Sequence, residues 1–568
     1  MEKTAPRVAI AVMVFLPLAF LGLFFLWPTL RIIGLGFSGT AAGLGSGGSA
    51  GFGGALREMF GRTRTWTTLF WTLEMGLLGT IFSVFLGVAG AWVLYGLRIP
   101  GRRVWRTLTG VPFVLPSVVV GVAFQNLLGP GAPLGFLGLS ESRAAIILAM
   151  VFFNFSLVAR IVGNAWMRLD PRPAQAARAL GASPARAFLT VTLPRLGPAI
   201  FAAASLVFLY CITSYGLIRV LGGVKITTLE VEIYLETASY LNLSGAAVLS
   251  ILQILIVLAA LGINGIARAR FERAGALRTV PPRRVRPEDT FALVLTGFGI
   301  LLVAMPLIFM VVASLRLAGR WTLANYRALG QPGIVAQLPG TAWAAWGYSL
   351  QVALLSCVIS LVMGLSVALV VSRRVPPNSR WRGAQELFDM LFSSPQGVSA
   401  VTVGFGMLIT LQAPPLSLPA NAAFLAAAQA VVAVPLVLRS VLPTLRAINP
   451  HLREAAATLG ANRLQSFVTV ELPILARVSG VGAGFAFAIS LGEFGATSFL
   501  ARPLEPTLPV AIFALSSRPS AQAQGVSAAA SVVLALTCAL VMFVAENGFA
   551  AATRDPQRGL PKKRRTRT

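Results

Sequence analysis

Few residues in this 568-residue chain are equipped for chemistry, and nearly all of them lie inside apolar runs. Cys211, Cys357 and Cys538 show neither metal-ligand spacing nor a disulfide framework. His451 is the single histidine and follows Pro450, a place that fits a loop or helix-cap residue better than a base or a ligand. No catalytic set, metal site or cofactor is implied. Two acids stand out instead: Glu493 in LGEFGA and Glu74 in WTLEMGLL both interrupt hydrophobic sequence. A carboxylate at such depth is costly unless it faces a cavity or a partner. Each therefore marks a solute pathway or an ion pair near the outer boundary. Glu493 is the stronger candidate, because Glu74 has no acidic counterpart in the repeat described below.

The other polar feature occurs twice, between hydrophobic runs. Gln175 to Pro194 reads QAARALGASPARAFLTVTLP, and Glu454 to Pro473 reads EAAATLGANRLQSFVTVELP. The offset is 279 throughout: Gln175 to Glu454, Gly181 to Gly460, Pro194 to Pro473. Asp170-Pro171 and Asn449-Pro450 are helix starts, since Asp or Asn accepts from free backbone N–H groups and proline is tolerated in the first turn. Helix formers run on until Gly181 or Gly460 stops them. A second helical stretch then leads into Leu193-Pro194 or Leu472-Pro473. Each copy thus predicts a protruding elbow, with Ala176-Ala177 and Ala455-Ala456 small enough for close approach by a partner. One copy alone reads equally well as an amphipathic connector on a membrane surface. Two copies with matched glycines and Leu-Pro ends point to docking.

The elements around them are membrane spans. The chain is 56% hydrophobic and only 12% charged, with a mean hydropathy of +0.78. The apolar runs are continuous rather than alternating, which selects helices over a barrel. At about 20 residues per crossing, roughly twelve spans are expected. They lie near 8–27, 68–94, 108–128, 144–166, 193–220, 246–266, 291–315, 348–371, 387–411, 422–441, 472–500 and 525–545. The first is too long for a signal peptide and is taken as retained. Pro112 and Pro116 should kink or open the third. Residues 222–241, with Glu230, Glu232 and Glu236, read as a loop with a short helix or extended piece.

A net charge of +28 does not imply nucleic acid here, because Lys and Arg gather between the runs and in the tail after Arg554. The segments 98–106, 268–286 and 373–382, both elbows and the tail fall on one face. The positive-inside rule makes that face cytoplasmic, with both termini. The tail KKRRTRT reads as a solvated end within reach of anionic lipid headgroups. Arg57, Arg62 and Arg64, in the first external loop, run against the rule.

The offset recurs beyond the elbows. Pro116 matches Pro395, Arg160 matches Arg439, Gly216 matches Gly495, and Thr228-Leu229 matches Thr507-Leu508. The chain is therefore read as an all-α polytopic membrane protein made of two tandem six-helix halves with pseudo-twofold symmetry. The Arg/Pro-rich stretch 268–289 separates them, giving permease-like domains 1–280 and 281–568. Their interface is the natural pathway. There Glu493 pairs with Ser214 and Phe494 with Tyr215, beside the matched glycines, a pattern that fits a constriction at a local helix break. Arg160 and Arg439 are topology anchors.

The elbow sequences resemble the coupling loop of permease subunits in bacterial ATP-binding-cassette importers. The second copy fits as Glu454-Ala455-Ala456, Gly460, Val470 and Leu472-Pro473. The first fits as Ala176-Ala177, Gly181, Val191 and Leu193-Pro194, with Gln175 in place of the usual Glu. The resemblance implies that each elbow seats in a separate ATP-hydrolysing subunit, two copies in all, and that an extracytoplasmic binding protein delivers the solute. Losing the charge at Gln175 would make the two docking sites unequal. The chain has no G-x-x-x-x-G-K-[ST] loop, so ATP hydrolysis would belong to another polypeptide. Leu221 to Tyr234 and Ser490 to Phe513 are similar to the fused permeases of ferric-iron and thiamine importers, with ferric iron favoured. The competing reading is a carrier driven by an ion gradient, which has no need of paired docking helices.

Overall fold

A computed structural model describes residues 5–38, 52–223, 225–272, 282–333, 340–373, 380–414, 416–448, 450–502 and 504–552. Asn449, the boundary at 280/281, most of the Gly/Ser-rich stretch Gly43 to Gly54 and the basic tail lie outside these residues. Within them the protein is almost wholly helical, with two short β pairs.

Ten helices are long and apolar enough to cross a membrane. They are 11–37, 63–96, 143–167, 184–212, 243–263, 287–314, 342–371, 422–447, 467–491 and 521–545. The two remaining expected spans, the third and ninth, are broken by proline. The third is a helix at Arg102–Gly110, a tight turn at Val111–Val114, extended backbone at Pro116, and an inner helix Ser117–Leu128. The ninth repeats this as Arg380–Ser393, a turn holding Pro395, and Ala400–Thr410. Proline has no N–H to continue the ladder, so the break falls where the ring is.

The fifth and eleventh spans are shorter than expected. Their helices stop at Ile212 and Leu491, and the apolar sequence beyond forms separate short helices, Tyr215–Leu221 and Thr497–Leu500. The segment 222–241 takes the short-helix form of its expectation: Leu229–Tyr234 is a helix, and its Glu230 and Glu232 are buried.

The two halves interlock by exchanging their first spans. Span one places Leu21 and Phe25 in the core of the second half, with Val352, Phe392 and Phe424. Span seven places Val303 and Met310 in the core of the first half. Without hydrophobic drive between helices in lipid, such contacts depend on close packing at small residues. Gly406 supplies one: a Cβ there would lie 3.0 Å from Pro28 and Ile32 of span one. Gly299 of span seven supplies the other, lying against the Phe155 ring of span four.

The segment after the inter-half boundary is stitched to the first half. Arg283–Arg284 pairs in parallel with Leu97–Arg98 at the end of span two. Asp289 accepts from the Trp92 indole at 2.9 Å and from Arg283 at 2.8 Å.

Candidate functional site: two elbows and the seam between the halves

Each elbow is built by the same backbone. The first helix is Arg172–Ala179 in one copy and Pro450–Thr458 in the other. Asp170 Oδ1 accepts from the Arg172 N–H at 3.1 Å. Gly181 (φ +90°) and Gly460 (φ +84°) end these helices in the left-handed region, where a Cβ is strained. The closing bonds match one for one. Gly181 N–H donates to Arg178 O and Ala182 N–H to Ala177 O; Gly460 donates to Ala457 O and Ala461 to Ala456 O, all at 3.0 Å. The second helix is capped by Ser183, whose Oγ accepts from Arg186 N–H, or by Asn462 and Gln465, which cap each other reciprocally. A widened helical turn, Phe188–Thr192 or Phe467–Glu471, then leads into Leu-Pro.

Gln175, Ala176, Glu454 and Ala455 are exposed, and Ala177 and Ala456 are half-buried. Leu180 is 89% exposed and its counterpart Leu459 87%. Sequence reasoning passed over this pair, although the 279 offset and the place before each glycine mark it. A solvated leucine is thus repeated at the tip of two matched elbows, and neither is packed among the described residues.

The charges differ between copies. Arg178 makes a bidentate pair with Glu288, at 3.1 and 3.3 Å. Glu288 also contacts Arg283. The residue matching Arg178 is Ala457, and Glu454 pairs instead with His451 at 2.9 Å.

The four pathway candidates meet at the seam. Ser214 and Tyr215 sit at the break after span five, and Glu493 and Phe494 at the break after span eleven. The Tyr215 and Phe494 rings, repeat counterparts, stack on each other with centroids 5.3 Å apart and planes at 22°. Tyr234, Phe499 and Phe513 extend this cluster at 5.2–5.8 Å. Gly216 allows the stack, because a Cβ there would meet Ser117 Oγ at 2.4 Å and Phe494 at 3.2 Å.

Glu493 does not form an ion pair among the described residues. Its carboxylate accepts from the N–H groups of Ala496 (2.8 Å) and Thr497 (3.0 Å) and from the Thr497 hydroxyl. It caps the short helix that begins there, which satisfies the buried charge locally. Glu74 takes the ion-pair reading, with Arg143 at 2.7 Å.

Glu230, fully buried, reaches across the seam. It accepts from Gln253 Nε2 at 3.1 Å and from Ser399 Oγ, and Ser399 in turn caps the inner helix of span nine. The matched Thr-Leu pairs are pinned alike: Leu229 N–H donates to Thr72 Oγ1 at 3.0 Å and Leu508 N–H to Ser349 Oγ at 2.7 Å.

Two of the three arginines that broke the charge rule are neutralised. Arg62 pairs with Glu236 at 3.0 Å, and Arg64 with Glu232 at 2.7 Å. Burial pushes the Glu236 carboxyl above its ordinary pKa, and Arg62 opposes that shift.

Two interlocked bundles, a shared seam and paired elbows define a polytopic transport protein. The chain belongs to the family described as binding-protein-dependent transport system inner membrane component, whose sequence model matches residues 79–273 and again 381–547. It is 25% identical over 556 residues to the thiamine transport system permease protein ThiP of Brucella abortus (strain 2308), covering 93% of this chain and 96% of that one. The ThiP of Escherichia coli (strain K12) is 26% identical over 503 residues, covering 85% and 88%. The molybdenum transport system permease protein ModB of Azotobacter vinelandii is 31% identical over 173 residues, covering 29% and 76%. Among solved structures, a bacterial ABC transporter involved in the import of the acidic polysaccharide alginate matches with a TM-score of 0.38 and 18% identity, covering 48% of this chain and 98% of that one. The protein is thus a permease of the ABC importer family, whose members work with an ATPase and a binding protein.

Proposed function

We propose that this chain is the double-length permease of a thiamine-type importer, with two ATP-hydrolysing subunits seated on its elbows. The observation that carries the cargo is the collinear match to ThiP over 93% of this chain and 96% of the relative. No iron permease is among the relatives named above, so ferric iron is set behind thiamine. Both elbows share one backbone and each presents an exposed leucine, which supports one ATPase subunit per elbow. The elbows and termini are assigned to the cytoplasm and the binding protein to the opposite face. The pairing of Arg62 and Arg64 with glutamates supports this, since it cancels two of the three external arginines that opposed it. In this reading the halves 1–280 and 281–568 open and close about the Tyr215–Phe494 stack.

The test is uptake of labelled thiamine by proteoliposomes holding the permease, its ATPase and its binding protein. ATP-dependent accumulation is expected, and it should vanish when Glu454 and Gly460 are both replaced although the protein still inserts. Accumulation driven by an ion gradient without ATP would overturn the proposal. Undiminished ATP-driven uptake by the double variant would overturn the elbow assignment.

A further inference from the structure

The seam holds a cation that the reading above leaves unused. Arg219, on the short helix after span five, is half-buried, and its Nε is buried without a hydrogen-bond partner. The guanidinium lies 5.4 Å from the centre of the Tyr234 ring, in the first half, and 5.2 Å from that of Phe513, in the second. The Tyr215 hydroxyl contacts Arg219 and also Ser498, which is the repeat counterpart of Arg219. None of the ion pairs among the described residues includes Arg219.

Glu141 lies against Gly223, just past the end of the helix that carries Arg219, and makes no ion pair with Arg219 among the described residues. Four acids of the surrounding segments are already committed. Glu230 holds Ser399 and Gln253, Glu232 holds Arg64, Glu236 holds Arg62, and Glu493 caps its own helix. A half-buried guanidinium is stabilised by a counter-charge, and aromatic faces supply only part of it. Its planar fork matches phosphate and carboxylate oxygens. The position is single, because the second half has a serine there.

We infer that Arg219 is an anion-recognition site in the seam, taking an oxyanion group of the solute in transit. The inference rests on the importer reading but not on thiamine as cargo. Within that cargo class the site would engage the phosphate of a phosphorylated form, a group that thiamine itself lacks.

The test places a cysteine beside the site, Ser498→Cys, in the assembled complex; the three native cysteines are buried. It is modified with methanethiosulfonate reagents bearing either a sulfonate or a trimethylammonium group. The anionic reagent should react faster by roughly fivefold or more, as a nearby cation in a low dielectric requires. R219K should keep that ratio and R219Q abolish it. An unchanged ratio in R219Q overturns the site, and so does equal loss in R219K, which would show a packing role. Repeating the measurement at Ser214→Cys guards against misfolding of the first variant. A parallel uptake assay compares thiamine with thiamine monophosphate, where R219Q should lose chiefly the phosphate ester. A charge-dependent ratio without uptake of either form upholds the site and sinks the thiamine reading. Thiamine uptake with an indifferent ratio does the reverse.

Discussion

The two elbows share every backbone bond that closes them and differ in almost every charge. The first is tethered: Arg178 grips Glu288, which belongs to the segment stitched beneath the opposite half. The second is untethered at that position, with Ala457, and carries its own acid, Glu454, beside His451. Duplication has fixed the geometry, because a left-handed glycine and a leucine tip leave little freedom. Charge was free to diverge, because exposed ions contribute little to stability. The difference separates what shapes an elbow from what tunes it.

The comparison is broken most severely at the tips. Leu459→Ser should weaken ATPase binding by about 1.5–3 kcal/mol, the value of burying one leucine, which is roughly tenfold to a hundredfold in affinity. Leu180→Ser should match it if the two sockets are alike. Titration of detergent-solubilised permease with the ATPase measures both, and thermal melting should stay unchanged since neither side chain is packed.

Next come the hinges. Gly460→Ala and Gly181→Ala each force a Cβ into positive φ at a cost of about 1–2 kcal/mol. Solute-stimulated ATP hydrolysis should fall alike in both variants. A response confined to one would show that only that elbow transmits.

The tether is worth less. Removing it with Arg178→Ala should change first-elbow docking by no more than about 1 kcal/mol, as for an exposed pair, and a double-mutant cycle with Glu288→Gln should locate that energy in the pair. Smallest of all is Glu454→Gln, which makes the second elbow resemble the first. A change of a few tenths of a kcal/mol is expected from losing its exposed contact with His451. A large loss would mean that this carboxylate touches the ATPase directly.

Much of this architecture was legible in the residues. The 279 offset located both elbows and brought Tyr215 and Phe494 together before any coordinates did, since repeat counterparts meet on a pseudo-twofold axis. Pro112 and Pro116 announced the break in the third span because a missing N–H is a local fact, and the same break at Pro395 in the ninth went unread although the repeat matches it to Pro116. The breaks after Ile212 and Leu491 were hidden, because hydrophobic sequence runs straight through them. Glu230 was placed only in a loop with a short helix or extended piece: its partner Ser399 lies 169 residues away, and nothing local signals such a contact. Glu493 was read as facing a pathway or a cation; no cation pairs with it among the described residues, and nothing in the sequence signalled that backbone groups three and four residues on would satisfy it. The exchange of first spans was invisible for the same reason as Glu230. Periodicity tells which face of a helix is buried and not against what.

That exchange also fixes an order of events during synthesis. Span one finds its seat, where Pro28 meets Gly406, only after the ninth span has left the ribosome. At about 5–20 residues per second the wait is on the order of tens of seconds. Through that interval span one can lean on span six, where Gly36 meets Ile251, and the Phe155 ring of span four is covered on one side by Gly90 of span two until Gly299 arrives.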